Sequence, residues 1–193
     1  LETVLTLLHE GKLVALPTET VYGLAADASN EHAVAKIFQA KGRPSNHPLI
    51  VHIGSVNQLS QWAKDMPDYA HKLAKAFWPG PMTLILKKQM QVLDAVTGGQ
   101  DSVGIRISSH PIMQKILKHF NSGLAAPSAN RFGHISPSLA KHVKQSLGDK
   151  IDLIIDGGAT SIGIESTIID CTQDHPRILR PGMITADEIE QIT

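Results

Sequence analysis

Apolar positions recur along the chain at two spacings. Short apolar runs bounded by Pro, Gly or polar clusters occur at 13–17 (LVALP), 48–53 (PLIVHI), 82–87 (MTLILK), 102–107 (SVGIRI), 123–126, 151–156 (IDLIID), 166–171 (STIIDC) and 177–180 (RILR). Runs of this length predict strands, several of them buried on both faces. Wider, helical spacing appears between them. Residues 30–41 carry an Asn cap, an early Glu and apolar Val34, Ile37 and Phe38, which predicts a helix. Leu5, Leu7 and Leu8 predict an opening helix stopped by Gly11. Residues 55–63 and 67–77 read as helices broken near Pro67, and 110–120 and 185–192 as two more. Residues 137–147 read as a helix with Pro137 in its first turn. TETVYGLAADAS has no clear period and reads as a structured loop, and Trp78-Pro79-Gly80-Pro81 as a rigid turn. The strands at 166–171 and 177–180 are expected to pair across the turn at Gln173–Pro176.

Strands and helices alternate and then give way to consecutive strands. That order predicts one α/β domain over residues 1–193, with a mixed sheet flanked by helices. The sequence contains no repeat, low-complexity run or linker-like stretch.

Composition narrows the function. Hydrophobic residues make up 42% of the 193 positions, enough for a substantial core. Lys plus Arg equals Asp plus Glu at 18 each, which argues against a protein that coats a polyanion. Only five of the cations are arginines: Arg43, Arg106, Arg131, Arg177 and Arg180. The single cysteine, Cys171, excludes an intrachain disulfide and suits a small core residue in a reducing, cytoplasmic setting. No apolar run approaches the ~18 residues of a membrane span, so no membrane partner is expected, and the opening LETVLTLLHEGK does not read as a signal peptide. Aromatic residues, at 4%, are too sparse for a platform that stacks single-stranded bases.

Polar clusters sit at the ends of the apolar runs. They are Pro17-Thr18-Glu19-Thr20 with Tyr22-Gly23, Lys41-Gly42-Arg43-Pro44, Arg106, Ser128-Ala129-Asn130, and Ser166 with Arg180-Pro181-Gly182. Ligands of open α/β sheets bind beyond strand ends, so this placement predicts a pocket. Lys-Gly-Arg can act as an anion clamp, with Arg43 forking and Lys41 as a point charge. It can equally be a C-terminal helix cap. Ser128 and Asn130 can face one side of a ligand, or close an Asx- or ST-type turn. Walker A, GxGxxG and GxSxG patterns are absent, and the histidines lack zinc-ligand spacing, so no metal site is expected from protein ligands. His52 at a strand end suits a structural side chain, and Trp62 and Trp78 suit core or turn packing.

Taken in order, LPTETVYGLAADA, KGRPSNHPLIVHI, WPGPMTLIL, VGIRISSHP, APSANRFGHISPS, IDGG…ESTIID and ILRPG resemble the TsaC/YrdC family, the L-threonylcarbamoyladenylate synthases, from about Gly11 to Gly182. The resemblance implies a single domain with a twisted, open mixed sheet around a concave basic cavity. It implies the reaction of L-threonine, bicarbonate and ATP to threonylcarbamoyl-AMP and diphosphate. The product would serve t6A modification of tRNA through partner proteins.

The family's Lys-x-Arg…Ser-x-Asn tetrad falls on Lys41, Arg43, Ser128 and Asn130, implied to be catalytic. Thr20, His52, Arg106, Ala126 and Ser166 are implied to form the threonine side. Arg43, His47, Ser102, Ser128, Ser136 and Arg180 are implied to form the nucleotide side. Two positions depart from the common pattern: Ser108 stands where relatives often have Pro, and His47 where Asn or Lys is common.

Such chemistry needs positioning of anions and stabilisation of phosphate charge rather than an enzyme nucleophile. Arg106 is expected to fork onto the threonine carboxylate. Mg²⁺ is expected to arrive with ATP, without a dedicated protein cage. A rival reading uses the same positive cavity to bind structured RNA, as a ribosome-assembly factor would.

Overall fold

The computed structural model describes residues 1–193. The chain runs α1 (Glu2–His9), β1 (Val14–Leu16), β2 (Gly23–Asp27), α2 (Glu31–Lys41), β3 (Ile50–His52), a 3-10 turn (Val56–Gln61), β4 (Ala63–Lys64), α3 (Asp68–Phe77), β5 (Met82–Lys88), α4 (Asp94–Thr97), β6 (Ser102–Arg106), α5 (Pro111–Phe120), β7 (Leu124–Ala125), α6 (Ala140–Leu147), β8 (Leu153–Ile154), β9 (Thr167–Asp170), β10 (Arg177–Arg180) and α7 (Ala186–Ile192). The strands form one mixed sheet in the order β10-β9-β5-β6-β3-β7-β2-β1-β8, with β4 paired to β5. This is the single α/β domain that the alternation of patterns predicts. No helix is long and apolar enough to cross a membrane.

Strand alternation divides the interior in two. On the β1, β2 and β7 side, Ala15, Leu24, Ala26 and Ala125 join one apolar cluster with Val34, Ile37 and Phe38 of α2. Their neighbours Val14, Leu16, Ala25 and Leu124 join another with Val4 and Leu8 of α1 and Met113, Ile116, Leu117 and Phe120 of α5. Successive side chains point to opposite faces, so a strand covered on both sides reads as an unbroken apolar run. The same alternation builds the cavity. In β3, β5, β6 and β9 the residues Val51, Leu84, Leu86, Val103, Ile105 and Ile169 face the larger cluster. Ile50, His52, Thr83, Ile85, Gly104, Arg106 and Ile168 occupy the alternate positions.

Four elements differ from the sequence expectations. β2 forms where a loop is expected: Gly-Leu-Ala-Ala-Asp is buried on both faces and shows no polar alternation, and pairing to β1 and β7 supplies what its alanines lack in strand propensity. α6 begins three residues late. The Pro137 carbonyl accepts from Tyr22 N–H at 2.9 Å and the Ser138 carbonyl from Thr160 N–H at 3.0 Å, which draws 137–139 out of the helix. The segment 55–63 is a 3-10 turn running into β4 rather than an α-helix. The short helix α4 has too few residues for a period to register. The expected β9–β10 pairing is present and antiparallel. Asn30 caps α2 through Ala33 N–H at 3.1 Å, and Thr185 caps α7 with a complete capping box.

Candidate functional site

A cavity of about 290 Å³ opens over the alternate face of β3, β5, β6 and β9. His52, Arg106, Thr83 and Ile168 are register neighbours across β3, β6, β5 and β9; all but the fully buried Thr83 line one row of it, and Ile50, Gly104 and Ile85 line the next. Gly104 keeps that second row low. A Cβ there would lie 3.1 Å from Ile85 Cδ1 and 3.4 Å from Ile50 Cγ1, in the gap between them. A larger depression of about 810 Å³, bordered by Gly54–Gln58 and Trp78-Pro79, contains none of the residues implied for the threonine or nucleotide side.

One wall is internally satisfied. The guanidinium of Arg106, only 4% exposed, pairs with the Glu19 carboxylate and donates to Thr20 Oγ1 at 2.8 Å and, more weakly, to the Gly80 carbonyl at 3.4 Å. Glu19 also accepts from Ser108 Oγ at 2.7 Å and from Ser109 N–H and Oγ, both at 2.8 Å. Burial pushes the Glu19 carboxyl up, but Arg106 and these donors outweigh it and hold it below its ordinary range. His52 is buried beside Arg106, and both effects drive its pKa down to about 3, so its imidazole is neutral. Its Nδ1 is buried with no hydrogen-bond partner.

The opposite wall is open. Arg43 donates through Nη2 to the Pro48 carbonyl at 2.9 Å, while its Nε is buried and without a partner. Phe132 lies under the guanidinium at 5.7 Å, and His47 meets the same ring edge-on at 5.2 Å. Gly42 takes the left-handed conformation that ends α2, with φ 65°, so the helix-cap reading of Lys-Gly-Arg holds, while of the anion-clamp reading only Arg43, not Lys41, faces the cavity. Between the walls, Arg180 pairs with Glu165 at 3.1 Å and donates to Ser166 Oγ at 3.2 Å, which also bonds Thr83 Oγ1 at 2.8 Å.

The cavity brings together Thr20, His52, Arg106, Ala126 and Ser166, the residues expected on the threonine side. It also takes in Arg43, His47, Ser128 and Arg180 from the nucleotide side. Lys41, Ser102, Asn130 and Ser136 do not line it. Ser102 pairs with Lys87 at the far end of β6. Ser136 sits half-buried on the loop before Pro137. Lys41 and Asn130 lie behind Ser128: the Lys41 ammonium donates to the Ser128 and Asn130 carbonyls, and the Asn130 amide donates to the Arg131 and His134 carbonyls.

The cavity is therefore less basic than expected. Three arginines and Glu165 line it, and Glu19 stands behind Arg106, so Arg43 is the arginine without a carboxylate partner. Glu19 lies in a polar cluster that the sequence singles out, but its role as the partner of Arg106 is a finding of the structure. Its signal was a lone carboxylate in a segment, 13–26, that is otherwise apolar or hydroxylic apart from Tyr22; a buried acid there must find a cation. Of the remaining arginines, Arg177 pairs loosely with Asp170 at 3.8 Å, and Arg131 is exposed.

Comparison with known proteins gives concordant matches. The family model Sua5/YciO/YrdC, described as "Telomere recombination", matches residues 6–182. The chain is 52% identical over 185 residues to the threonylcarbamoyl-AMP synthase of Pyrococcus abyssi, covering 96% of this chain and 54% of that protein. The Bacillus subtilis protein of the same name is 48% identical over 187 residues, again covering 96% and 54%. The Vibrio parahaemolyticus threonylcarbamoyl-AMP synthase is 34% identical over 94% of this chain and 98% of its own length. Among solved structures, P. abyssi Sua5 complexed with L-threonine superposes with a TM-score of 0.96 at 50% identity, covering 98% of this chain and 56% of that one. Escherichia coli YciO gives 0.83 at 25% identity, covering 94% and 88%. The chain spans about half the length of the P. abyssi and B. subtilis relatives.

Proposed function

The chain belongs to the Sua5/YciO/YrdC family, and from that premise we propose that it is an enzyme, a threonylcarbamoyl-AMP synthase that transfers a nucleotidyl group. The observation that carries this reading is the convergence, in one cavity of about 290 Å³, of a pre-positioned Arg106–Thr20–His52 wall and an arginine, Arg43, with a free buried donor edge. The first suits a small amino acid; the second suits a phosphate. Curated relatives carry the synthase name, and one relative was solved with L-threonine bound.

Threonine amine and bicarbonate, with loss of water, form N-carboxythreonine, and one carboxylate oxygen of that carbamate attacks the α-phosphorus of ATP. The new bond is O–P; the bond to the β-phosphate bridging oxygen breaks, and diphosphate leaves with its electron pair. No covalent enzyme intermediate is required. The threonine carboxylate would meet the remaining N–H groups of Arg106, whose other donors are fixed by Glu19, Thr20 and the Gly80 carbonyl. The neutral His52 would accept from the threonine ammonium or hydroxyl through Nδ1. Arg43 would bind phosphate oxygens through Nε and its free Nη hydrogens, with Ser128 beside it and Arg180 across the cavity.

A divalent cation fits this donor set only as a companion of the phosphates. No three acidic, His or Cys side chains cluster, Glu19 is fully engaged, and Glu165 is the single carboxylate at the cavity. Mg²⁺ brought by ATP would neutralise phosphate charge, with Glu165 as its one protein contact. Product would pass to t6A formation on tRNA through partner proteins, in a cytoplasmic setting.

The cavity's size and its internally paired arginines support the small-molecule reading over the RNA-binding one, which needs an unneutralised basic surface. The test is mass spectrometry after incubating the protein with threonine, bicarbonate and ATP-Mg²⁺. A threonylcarbamoyl-AMP ion that disappears when threonine is omitted is expected; its absence from the complete mixture would overturn the reading.

A further inference from the structure

Lys41 and Asn130 carry the polar chemistry of a site yet do not reach the cavity, and what they do instead is visible in the contacts around them. Lys41 is the last residue of α2 and is 3% exposed. Its ammonium donates to the Ser128 carbonyl at 2.5 Å and to the Asn130 carbonyl at 2.7 Å. Its own carbonyl accepts from Phe132 N–H at 2.8 Å. Phe132 is the ring under Arg43 and against His47. Asn130 folds the loop onto itself through Arg131 and His134. The end of α2 and the loop 128–134 are thus one joint. Arg43 and Ser128 are its outer, cavity-facing members, and Lys41 and Asn130 its inner ones.

We propose that Lys41 is a positioning residue: its buried ammonium holds the Ser128 and Asn130 carbonyls and so fixes Ser128 and the Phe132 rest beneath Arg43, without touching a substrate. The kinetic part of this inference rests on the nucleotide-site reading above; the structural part does not. The charge requirement is also local. Lys41 is buried with only Arg43 and Glu165 as charged groups near it, and burial brings its pKa down to about 8. A neutral amine still carries two N–H groups, enough for both carbonyls. The clamp needs two donated hydrogen bonds, which either protonation state supplies.

The test compares Lys41→Met, which keeps the stem and removes the donors, with Lys41→Gln, whose neutral amide restores two N–H groups. In Lys41→Met the KM for ATP is expected to rise about tenfold, with kcat within about threefold of wild type and the threonine KM unchanged. Amide hydrogen exchange over 128–134, measured without ligand, is expected to accelerate while the rest of the chain stays protected. Lys41→Gln is expected to recover most of both effects. A lysine that contacts phosphate directly predicts the opposite: Gln as damaging as Met, a kcat fall of about 10²-fold, and unchanged loop exchange.

If Lys41→Met does not fold, the wild-type pH profile decides. The clamp predicts an ATP KM flat within about twofold from pH 7 to pH 9.5. A phosphate-contacting ammonium predicts affinity lost as pH rises through about 8. Should the protein make no threonylcarbamoyl-AMP at all, the function proposal fails alone. Unchanged exchange in the loop of a folded Lys41→Met would overturn the clamp regardless of activity.

Discussion

The two walls of the cavity solve the problem of a buried arginine in different ways. Arg106 is neutralised by Glu19 and anchored by Thr20, and Glu19 is itself covered by Ser108 and Ser109. Arg43 has no carboxylate of its own, rests on an aromatic ring and a single carbonyl, and keeps a buried Nε unpaired. The first arrangement trades free charge for fixed geometry, which suits a small ligand recognised by shape and a few directed bonds. The second leaves charge and a donor free, which suits an anion that brings its own neutralising interactions. Pre-organisation and stored attraction are thus separated within one small site, and substitutions in the two walls should fail differently.

The largest effect is expected where the anchored wall loses its carboxylate. Glu19→Ala leaves a buried guanidinium unpaired and should cost about 3–5 kcal/mol of folding stability, read by urea denaturation. An effect under about 1 kcal/mol would mean that Arg106 finds another partner or water. Arg43→Ala should leave stability close to wild type but lower kcat/KM for ATP by about 10²-fold, with the threonine KM little changed; steady-state diphosphate release measures it. Gly104→Val should fill the gap between Ile50 and Ile85 and weaken threonine binding by about tenfold, measured by calorimetry; unchanged affinity would place threonine elsewhere.

The remaining effect is a pH dependence, spread over about two pH units. His52 has a folded pKa of about 3 against an ordinary 6.5, so the unfolded chain binds the extra proton. The stability this neutral imidazole contributes is complete above pH 6.5 and is lost as pH falls toward 3. Glu19, held low, adds its own loss below about 4.5. Between pH 6.5 and 4.5 the acid-side slope should therefore be shallower in His52→Asn by up to one proton per molecule. Parallel wild-type and variant curves would contradict the buried neutral assignment.

Much of this architecture was legible in the chain because burial leaves a pattern. Apolar runs announce strands: LVALP one covered on both faces, PLIVHI and MTLILK ones whose second face lines the cavity, and Asn30, Gly42 and Thr185 announce helix ends. β2 escaped because its Ala-rich run has neither alternation nor β-branched side chains, and its identity depends on β1 and β7, which local sequence does not reveal. The site followed the same rule. Arg106, Ser128 and Ser166 could be singled out because polar residues at strand ends stand out against apolar surroundings, and Arg43 because it follows the Lys-Gly ending of α2. That Lys41 turns inward, and that Arg106 is already paired, depend on contacts across 87 positions of sequence. Residue type predicted a charge in each case; only the fold determined what the charge faces.

The division of labour between the walls is tested most directly by titrating threonine and, separately, a non-hydrolysable ATP analogue into wild type, Arg43→Ala and Glu19→Gln by calorimetry. Glu19→Gln keeps a hydrogen-bonding side chain while removing the charge that orients Arg106. The account predicts a crossed result: Arg43→Ala weakens the nucleotide and spares threonine, while Glu19→Gln weakens threonine and spares the nucleotide. Equal loss of both ligands in either folded variant would contradict it.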